Sequence, residues 1–214
     1  GLKKHHLLAA ELQPRNWRDS VLEFARSCHH DEAHSRQVAG LALEIFAALA
    51  VPFDFSEKEG QMLEAAALVH DVGYFISYSG HHKHTYHLVR HADLFGFSPR
   101  EREIIAHVAR YHRKSLPKKR HESFARLSSQ DRLLVKRLGG ILRLADGLDR
   151  RRNGVVSGLD CALSKSAFTV RVKGEGDISV ELFGGKVKGD LFEAAFGKRL
   201  LLLPASPDEG AGAS

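Results

Sequence analysis

A helical segment that ends on a histidine–aspartate pair constrains the fold of this chain more than any other feature. The segment Ala65–His87 begins as an apolar helix, reaches His70-Asp71, turns at Gly73 and continues into a histidine-rich stretch. Histidine and aspartate are ligands that zinc, manganese, iron and magnesium sites use, so this helix end is a candidate metal site. We therefore expect the other helical segments to act as a scaffold that brings further ligands to it.

The rest of the first 153 residues is dominated by apolar positions at helical spacing. Ser56 and Ser98 each begin a capping box, and proline follows Ser98 at the first helical position. Ser128 begins a third helix of the same kind. The predicted helices are Gly1–Gln13, Arg18–Cys28, Asp31–Ala50, Ser56–Asp71, Lys83–Phe95, Glu101–Arg113 and Ser128–Asp146.

The pattern changes after Asn153. Ala167–Lys173 and Ile178–Phe183 alternate with period two around a glycine-rich turn, which predicts a β-hairpin. A short helix over Val187–Phe196 and a third strand over Arg199–Leu203 are expected to follow. The predicted fold is mostly α: a helical bundle (1–153), a small α+β appendage of hairpin, helix and strand (154–204), and a flexible tail (205–214).

Composition and charge favour a soluble globular protein with an anionic partner. The chain has 214 residues, 14 histidines and a net charge of +6. That charge suits phosphate, nucleotide, polyphosphate or nucleic acid, although it can also serve solubility alone. Cys28 and Cys161 suggest no disulfide framework, so the expected location is the cytoplasm. No apolar run is long enough to span a membrane.

A divalent ion that activates water needs three or four nitrogen and oxygen ligands and an open position. A set of four residues from three helices meets this need: His34, His70, Asp71 and Asp146. This set suits Mn, Mg, Zn and Fe alike, and one or two ions are expected. For a second ion, His84 and His112 are the best placed, whereas we expect His107 to be an ordinary core histidine.

The order His34, His70-Asp71 and Asp146 resembles that of the HD-domain metal-dependent phosphohydrolases. Three longer segments are similar to the C-terminal half of the exopolyphosphatase/guanosine pentaphosphatase (Ppx/GppA) family: LVHDVGYFISYSGHHKHTYHLV, IIAHVARYHRKSLPKKRH and LGGILRLADGLDRRR. The HD likeness implies catalytic roles for His70 and Asp71, with Asp71 bridging two ions. The family's own chemistry is attributed to an N-terminal actin-like half with glycine-rich phosphate loops, and this chain contains no such loops.

Basic residues adjoin the proposed ligands in sequence. Arginine and lysine suit phosphate oxygens, and the residues assigned to phosphate binding are Lys83, Arg113, Lys114 and Arg150. An ordinary solvated face is the alternative. Nucleic acid is disfavoured because no aromatic residues alternate with these charges.

Three functions stay open at this point. The first is a phosphohydrolase that cleaves a phosphate ester, nucleotide or related ligand by metal-activated water. The second is a non-catalytic half of an exopolyphosphatase, which binds polyphosphate or mediates a homodimer and lacks its actin-like partner domain. The third is a regulatory helical domain whose histidines and aspartates are relics. The intact ligand set favours the first.

Overall fold

A computed structural model describes residues 16–206, so the predicted helix Gly1–Gln13 and most of the predicted tail lie outside the described residues. In the described range the fold is mostly helical with one small sheet, as predicted. The helices of the first part are α1 (Trp17–Ser27), α2 (Glu32–Ala50), α3 (Glu57–Val69), α4 (His81–His91), α5 (Pro99–Arg110), α6 (Glu122–Ala125) and α7 (Ser129–Gly147). The second part contains β1 (Val156–Leu163), β2 (Ala167–Gly174), α8 (Ser179–Val187), α9 (Asp190–Phe196) and β3 (Arg199–Pro204).

The helix starts follow the capping residues. Ser56 and Ser98 accept hydrogen bonds from Glu59 and Glu101 backbone N–H groups, and both glutamates bond back, so both capping boxes are present. Ser128 accepts from the backbone N–H of Asp131 in the same way. Each cap satisfies N–H groups that the first helical turn leaves without partners, and this fixes where α3, α5 and α7 begin.

Helix α3 lies in the middle of the bundle and packs against α1, α2, α5 and α7. Its last turn, Ala65–Val69, is buried on every side. The small alanines let neighbouring helices approach closely, so the chain that leaves α3 enters the centre of the molecule. Within the described residues no helix is both long enough and apolar enough to cross a membrane.

The sheet has the order β1-β2-β3, with β1 antiparallel and β3 parallel to the central strand β2. Phe168, Val170 and Val172 lie on the buried face of β2. They belong to the same apolar core as the helices, together with Phe192 and Phe196 of α9. The appendage is therefore packed onto the bundle through a continuous core.

The predicted partner strand in the hairpin was wrong. Strand β2 pairs with Val156–Leu163, which was not predicted, while Ile178–Phe183 lies mostly in α8. Glu181 accounts for the difference. It is fully buried, and its carboxylate forms a bidentate ion pair with Arg151 that offsets the cost of burial. A tertiary contact thus outweighed the local alternation. The helix predicted from Val187 begins only at Asp190.

Glycine residues allow the backbones of α7 and α8 to touch where the two helices cross. A Cβ atom added at Gly147 would lie 2.5 Å from the carbonyl oxygen of Gly184 and 2.9 Å from the Cα atom of Gly185. Only glycine fits at this crossing, since contacts below about 3 Å would force one helix to move. The crossing fixes the position of the chain that follows α8.

Replacement of Gly147 by alanine should therefore destabilise the protein by about 1–3 kcal/mol, the usual cost of overpacking. Gly40 is the matched control, because it also lies inside a helix but nothing lies within 4 Å of an added Cβ. Gly40→Ala should stabilise the helix by roughly 0.5–1 kcal/mol. Urea unfolding measures both, and equal stability of the two variants would contradict the proposed crossing.

Candidate metal and phosphate site

Separate helices place the predicted ligands at one point. His34 lies in the first turn of α2, His70 and Asp71 follow the last turn of α3, and Asp146 lies in the last turn of α7. His112 comes directly after α5. All five side chains are buried or nearly so. The structure thus brings these five side chains together at one point.

On one side of Asp71 lie two imidazoles and a second carboxylate. Asp71 Oδ2 is 3.4 Å from His70 Nε2 and 3.9 Å from His34 Nε2. Asp146 Oδ1 is 3.1 Å from His34 Nε2 and 3.6 Å from His70 Nε2. These four residues form a compact set of nitrogen and oxygen donors.

On the other side of Asp71 lies a second pair of imidazoles. Asp71 Oδ1 is 3.2 Å from His81 Nε2 and 3.3 Å from His112 Nε2, and the two Nε2 atoms are 3.3 Å apart. Asp71, His81 and His112 are one of the groups whose donor atoms all lie within 4.8 Å of one another. The two oxygens of Asp71 thus face two different sets of donors.

Hydrogen bonds hold all four rings so that Nε2 points into the cluster. His34 Nδ1 lies 2.6 Å from Asp149 Oδ2. The Nδ1 atoms of His70, His81 and His112 lie 2.6, 3.3 and 2.7 Å from carbonyl oxygens three residues earlier. Such contacts orient each ring with Nε2 towards the cluster, which is how the rings of metal-binding histidines are commonly held.

Unpaired polar atoms in the cluster fit a metal ion. His70 Nε2 and Asp71 Oδ1 are buried, and neither forms a hydrogen bond of normal geometry with another described residue, although the Nε2 atoms of His81 and His112 lie close to Asp71 Oδ1. Buried polar atoms without partners are costly and rare in folded proteins. Both atoms lie on the inner side of the donor sets, and imidazole nitrogen with carboxylate oxygen suits borderline divalent ions. The residues present therefore fit such an ion.

The charges in the cluster also favour a cation. Burial on its own lowers the pKa of His70, but the Asp71 and Asp146 carboxylates outweigh it and raise that pKa to about 10. Burial alone raises the pKa of Asp146, yet the Lys188 ammonium and the neighbouring imidazoles hold it well below its ordinary value. Burial lowers the pKa of His112 to about 4, so this ring is neutral at pH 7.

His84 does not belong to the cluster, contrary to the prediction, and His81 takes the place assigned to it. Helix α4 begins at His81 rather than at Lys83, and its inward face carries His81, Thr85 and Val89. Thr85 Oγ1 donates to the carbonyl of His70 and accepts from Gly73 N–H. Sequence analysis missed His81 because no side chain caps α4 to mark its start.

The cluster opens into a cleft of about 660 Å³ with a cationic lining. Three of the residues assigned to phosphate binding, Arg113, Lys114 and Arg150, line it. Lys83, the fourth residue assigned to phosphate binding, is exposed and does not line the cleft. His70 is fully buried behind the cleft surface. This position suits a ligand that holds an ion better than a group that touches substrate.

Two further cations at the site were not predicted. Arg152 Nη2 lies 2.6 Å from Asp71 Oδ2. Lys188, between α8 and α9, donates to Asp146 Oδ2, and its Nζ atom lies 3.4 Å from the carbonyl oxygen of His112. Arg152 belongs to the run of three arginines after α7, but the run alone does not show which arginine reaches Asp71. Lys188 had no local sequence signal, because it reaches the site only through the packing of the second part of the chain.

His107 lies outside the cluster in a polar pair within the core, as expected for a core histidine. It is fully buried, and its Nε2 atom lies 3.3 Å from Glu103 Oε1, which also accepts a 2.6 Å bond from the Tyr86 hydroxyl. His107 and Tyr86 together lower the pKa of Glu103 from 4.5 to about 2. Glu103 therefore contributes stability above about pH 4.5, and this contribution is lost as the pH falls towards 2.

Glu103→Gln should accordingly destabilise the protein at pH 7 by roughly 1 kcal/mol, the net worth of a partly exposed charged hydrogen bond. The two proteins should converge in stability near pH 2–3. The control is Glu122→Gln, at a side chain that is 80% exposed; it should change stability by less than about 0.5 kcal/mol at either pH. A destabilisation by Glu103→Gln that does not vary with pH would contradict this account.

Comparison with known proteins gives one family match and several relatives. Residues 17–177 match the family described as Ppx/GppA phosphatase, domain III. The chain is 32% identical over 125 residues to the guanosine-5'-triphosphate,3'-diphosphate pyrophosphatase of Pseudoalteromonas atlantica. The aligned region covers 58% of this chain and 24% of that protein.

Proteins of the same name in two other organisms are also similar. The Pseudoalteromonas translucida protein is 29% identical over 144 residues, with 67% of this chain and 27% of that protein covered. The Vibrio vulnificus protein is 31% identical over 123 residues, with coverage of 57% and 24%. The chain thus spans about a quarter of the length of these relatives. Because the family match extends over most of its residues, the chain belongs to the Ppx/GppA phosphatase domain III family.

Proposed function

We propose that this chain is a metal-dependent phosphohydrolase of the HD type, which acts on a phosphate ester, a nucleotide or a related phosphorylated ligand. The observation that carries the proposal is the position of Asp71, whose two oxygens face two separate sets of imidazoles. One or two hydrogen bonds would be enough for an aspartate with a purely structural role, whereas four histidine rings from different segments surround Asp71. The cationic cleft over this cluster supports phosphate as the ligand.

Two divalent ions would share Asp71 in this proposal. His34, His70 and Asp146 would complete one site, and His81 and His112 would contribute to the other. Ions in such sites act as Lewis acids on phosphoryl oxygens and lower the pKa of a coordinated water. Asp149 would hold the His34 ring in position through its 2.6 Å bond to Nδ1. Such outer contacts tune both the geometry and the affinity of a site.

The chain's own cations would bind and orient the substrate. Arg113, Lys114 and Arg150 stand around the cleft and reach it from two different segments. Their charges would neutralise phosphate oxygens on the side away from the ion, where guanidinium groups bind in a fork. The buried cluster lies at the base of the cleft, so a bound phosphate would cover it and exclude bulk water.

The longer relatives point to a substrate class. Their names describe pyrophosphatases that act on a guanosine carrying phosphates at both ends. We propose that a nucleoside polyphosphate is the first ligand class to test on this chain. The alternative is a half that binds polyphosphate or mediates dimerisation without catalysis, and it predicts ligand binding without metal-dependent phosphate release.

The test is metal content measured together with phosphate release, on protein without a histidine tag. Wild type should bind about two Mn²⁺ per chain, and His81→Ala about one. His84→Ala is the matched control on the same helix and should bind as many ions as wild type. Asp71→Asn should lose both ions, because it removes the shared carboxylate, and should release no phosphate from nucleotides or phosphate esters.

Two results would contradict the proposal. The first is unchanged Mn²⁺ binding in Asp71→Asn. The second is a failure of the wild-type protein to release phosphate from any of the nucleotides and phosphate esters with Mn²⁺, Mg²⁺, Zn²⁺ or Fe²⁺. That result would favour the non-catalytic alternative.

A further inference from the structure

Each of the two carboxylates at the centre of the cluster is paired with a cation from outside the ligand set. Arg152 bonds Asp71 Oδ2, and Lys188 bonds Asp146 Oδ2. Both cations also line the cleft. They stand between the buried carboxylates and the space in which a phosphate would lie.

We propose that Lys188 neutralises Asp146 until a divalent ion binds and then turns into the cleft to bind the substrate's phosphate, with Arg152 acting likewise at Asp71. This inference rests on the proposed function. It makes Lys188 a phosphate-binding residue contributed by the small α+β part of the chain.

Electrostatic repulsion favours the exchange. A divalent ion held by Asp146 would lie within a few ångströms of the Lys188 ammonium, and two cations at that distance repel each other strongly in a buried site. The four-carbon stem of lysine can swing, unlike the rings around it. Its side chain is 16% exposed and opens to the cleft, so the ammonium has a place to go.

The fold holds the Lys188 backbone firmly while leaving the side chain free to move. Lys188 caps α8, and its backbone N–H donates to the carbonyl of Gly184, which itself packs against Gly147. On the next residue, an added Cβ at Gly189 would meet Leu200 at 2.5 Å. Arg143 donates hydrogen bonds to the carboxylate of Asp190 in α9 and to the backbone carbonyl of Lys114, which follows α5. The junction of α8 and α9 is therefore tied to both walls of the cleft.

The exchange couples metal and phosphate binding. Without the ion, Lys188 is engaged by Asp146 and contributes less to phosphate binding. With the ion bound, the ammonium is released and phosphate affinity rises. Coupling of this kind is reciprocal, so phosphate should also tighten metal binding.

The test compares Lys188→Met with Lys186→Met, which removes a lysine two residues away on an exposed face that lines a different groove. Mn²⁺ binding and inorganic pyrophosphate binding are each measured by calorimetry, the latter with and without saturating Mn²⁺. Lys188→Met should bind Mn²⁺ roughly tenfold more tightly, because a competing charged hydrogen bond is gone. It should bind pyrophosphate in the presence of Mn²⁺ roughly tenfold more weakly.

The opposite signs separate this role from a structural one. Lys186→Met should match wild type in both assays, and Lys188→Arg should restore pyrophosphate binding because it keeps the charge. A loss of both affinities in Lys188→Met would mean that the residue only supports the fold and would overturn the inference. No change in Mn²⁺ affinity would overturn the exchange, and no change in pyrophosphate affinity would overturn the phosphate contact. Wild-type protein that binds neither probe would contradict the proposed function itself.

Discussion

The structure depends on the neutralisation of two buried carboxylates. Asp71 and Asp146 lie at the centre of the helical bundle, where an isolated negative charge would cost several kcal/mol or more. Four imidazoles, one arginine and one lysine surround them, and each comes from a different segment of the chain. A protein that needed only stability would fill this space with apolar side chains. Under the proposed function, these charges serve the binding of metal ions and phosphate.

The small second part of the chain also contributes to the cluster around Asp71 and Asp146. Its core is continuous with that of the bundle, and the buried Glu181 is paired with Arg151 directly after the ligand helix α7. The glycine crossing at Gly147 then determines where the chain leaves α8, and that chain carries Lys188 over Asp146. The packing of α7 against α8 thus decides which cation reaches the cluster.

The sequence predicted the features that local patterns determine. The capping residues Ser56, Ser98 and Ser128 located helix starts, and the order of His34, His70-Asp71, His112 and Asp146 indicated that they meet. His81 was missed because two histidines one turn apart, at 81 and 84, cannot be separated without knowing where α4 starts. Lys188 depends on tertiary packing alone, whereas Arg152 lies in a basic run after α7 whose individual contacts the sequence does not separate. The hairpin was misassigned because the burial of Glu181 against Arg151 is invisible in the local alternation.

The central claim is that Asp71 holds divalent ions between two sets of histidines. Anomalous diffraction from crystals grown with Mn²⁺ tests it most directly, because it locates the ions without a mutation. The account predicts two anomalous peaks, one on each side of the Asp71 carboxylate, with the Lys188 ammonium displaced from Asp146 into the cleft. Peaks confined to exposed histidines such as His87 and His91, with none at Asp71, would contradict it.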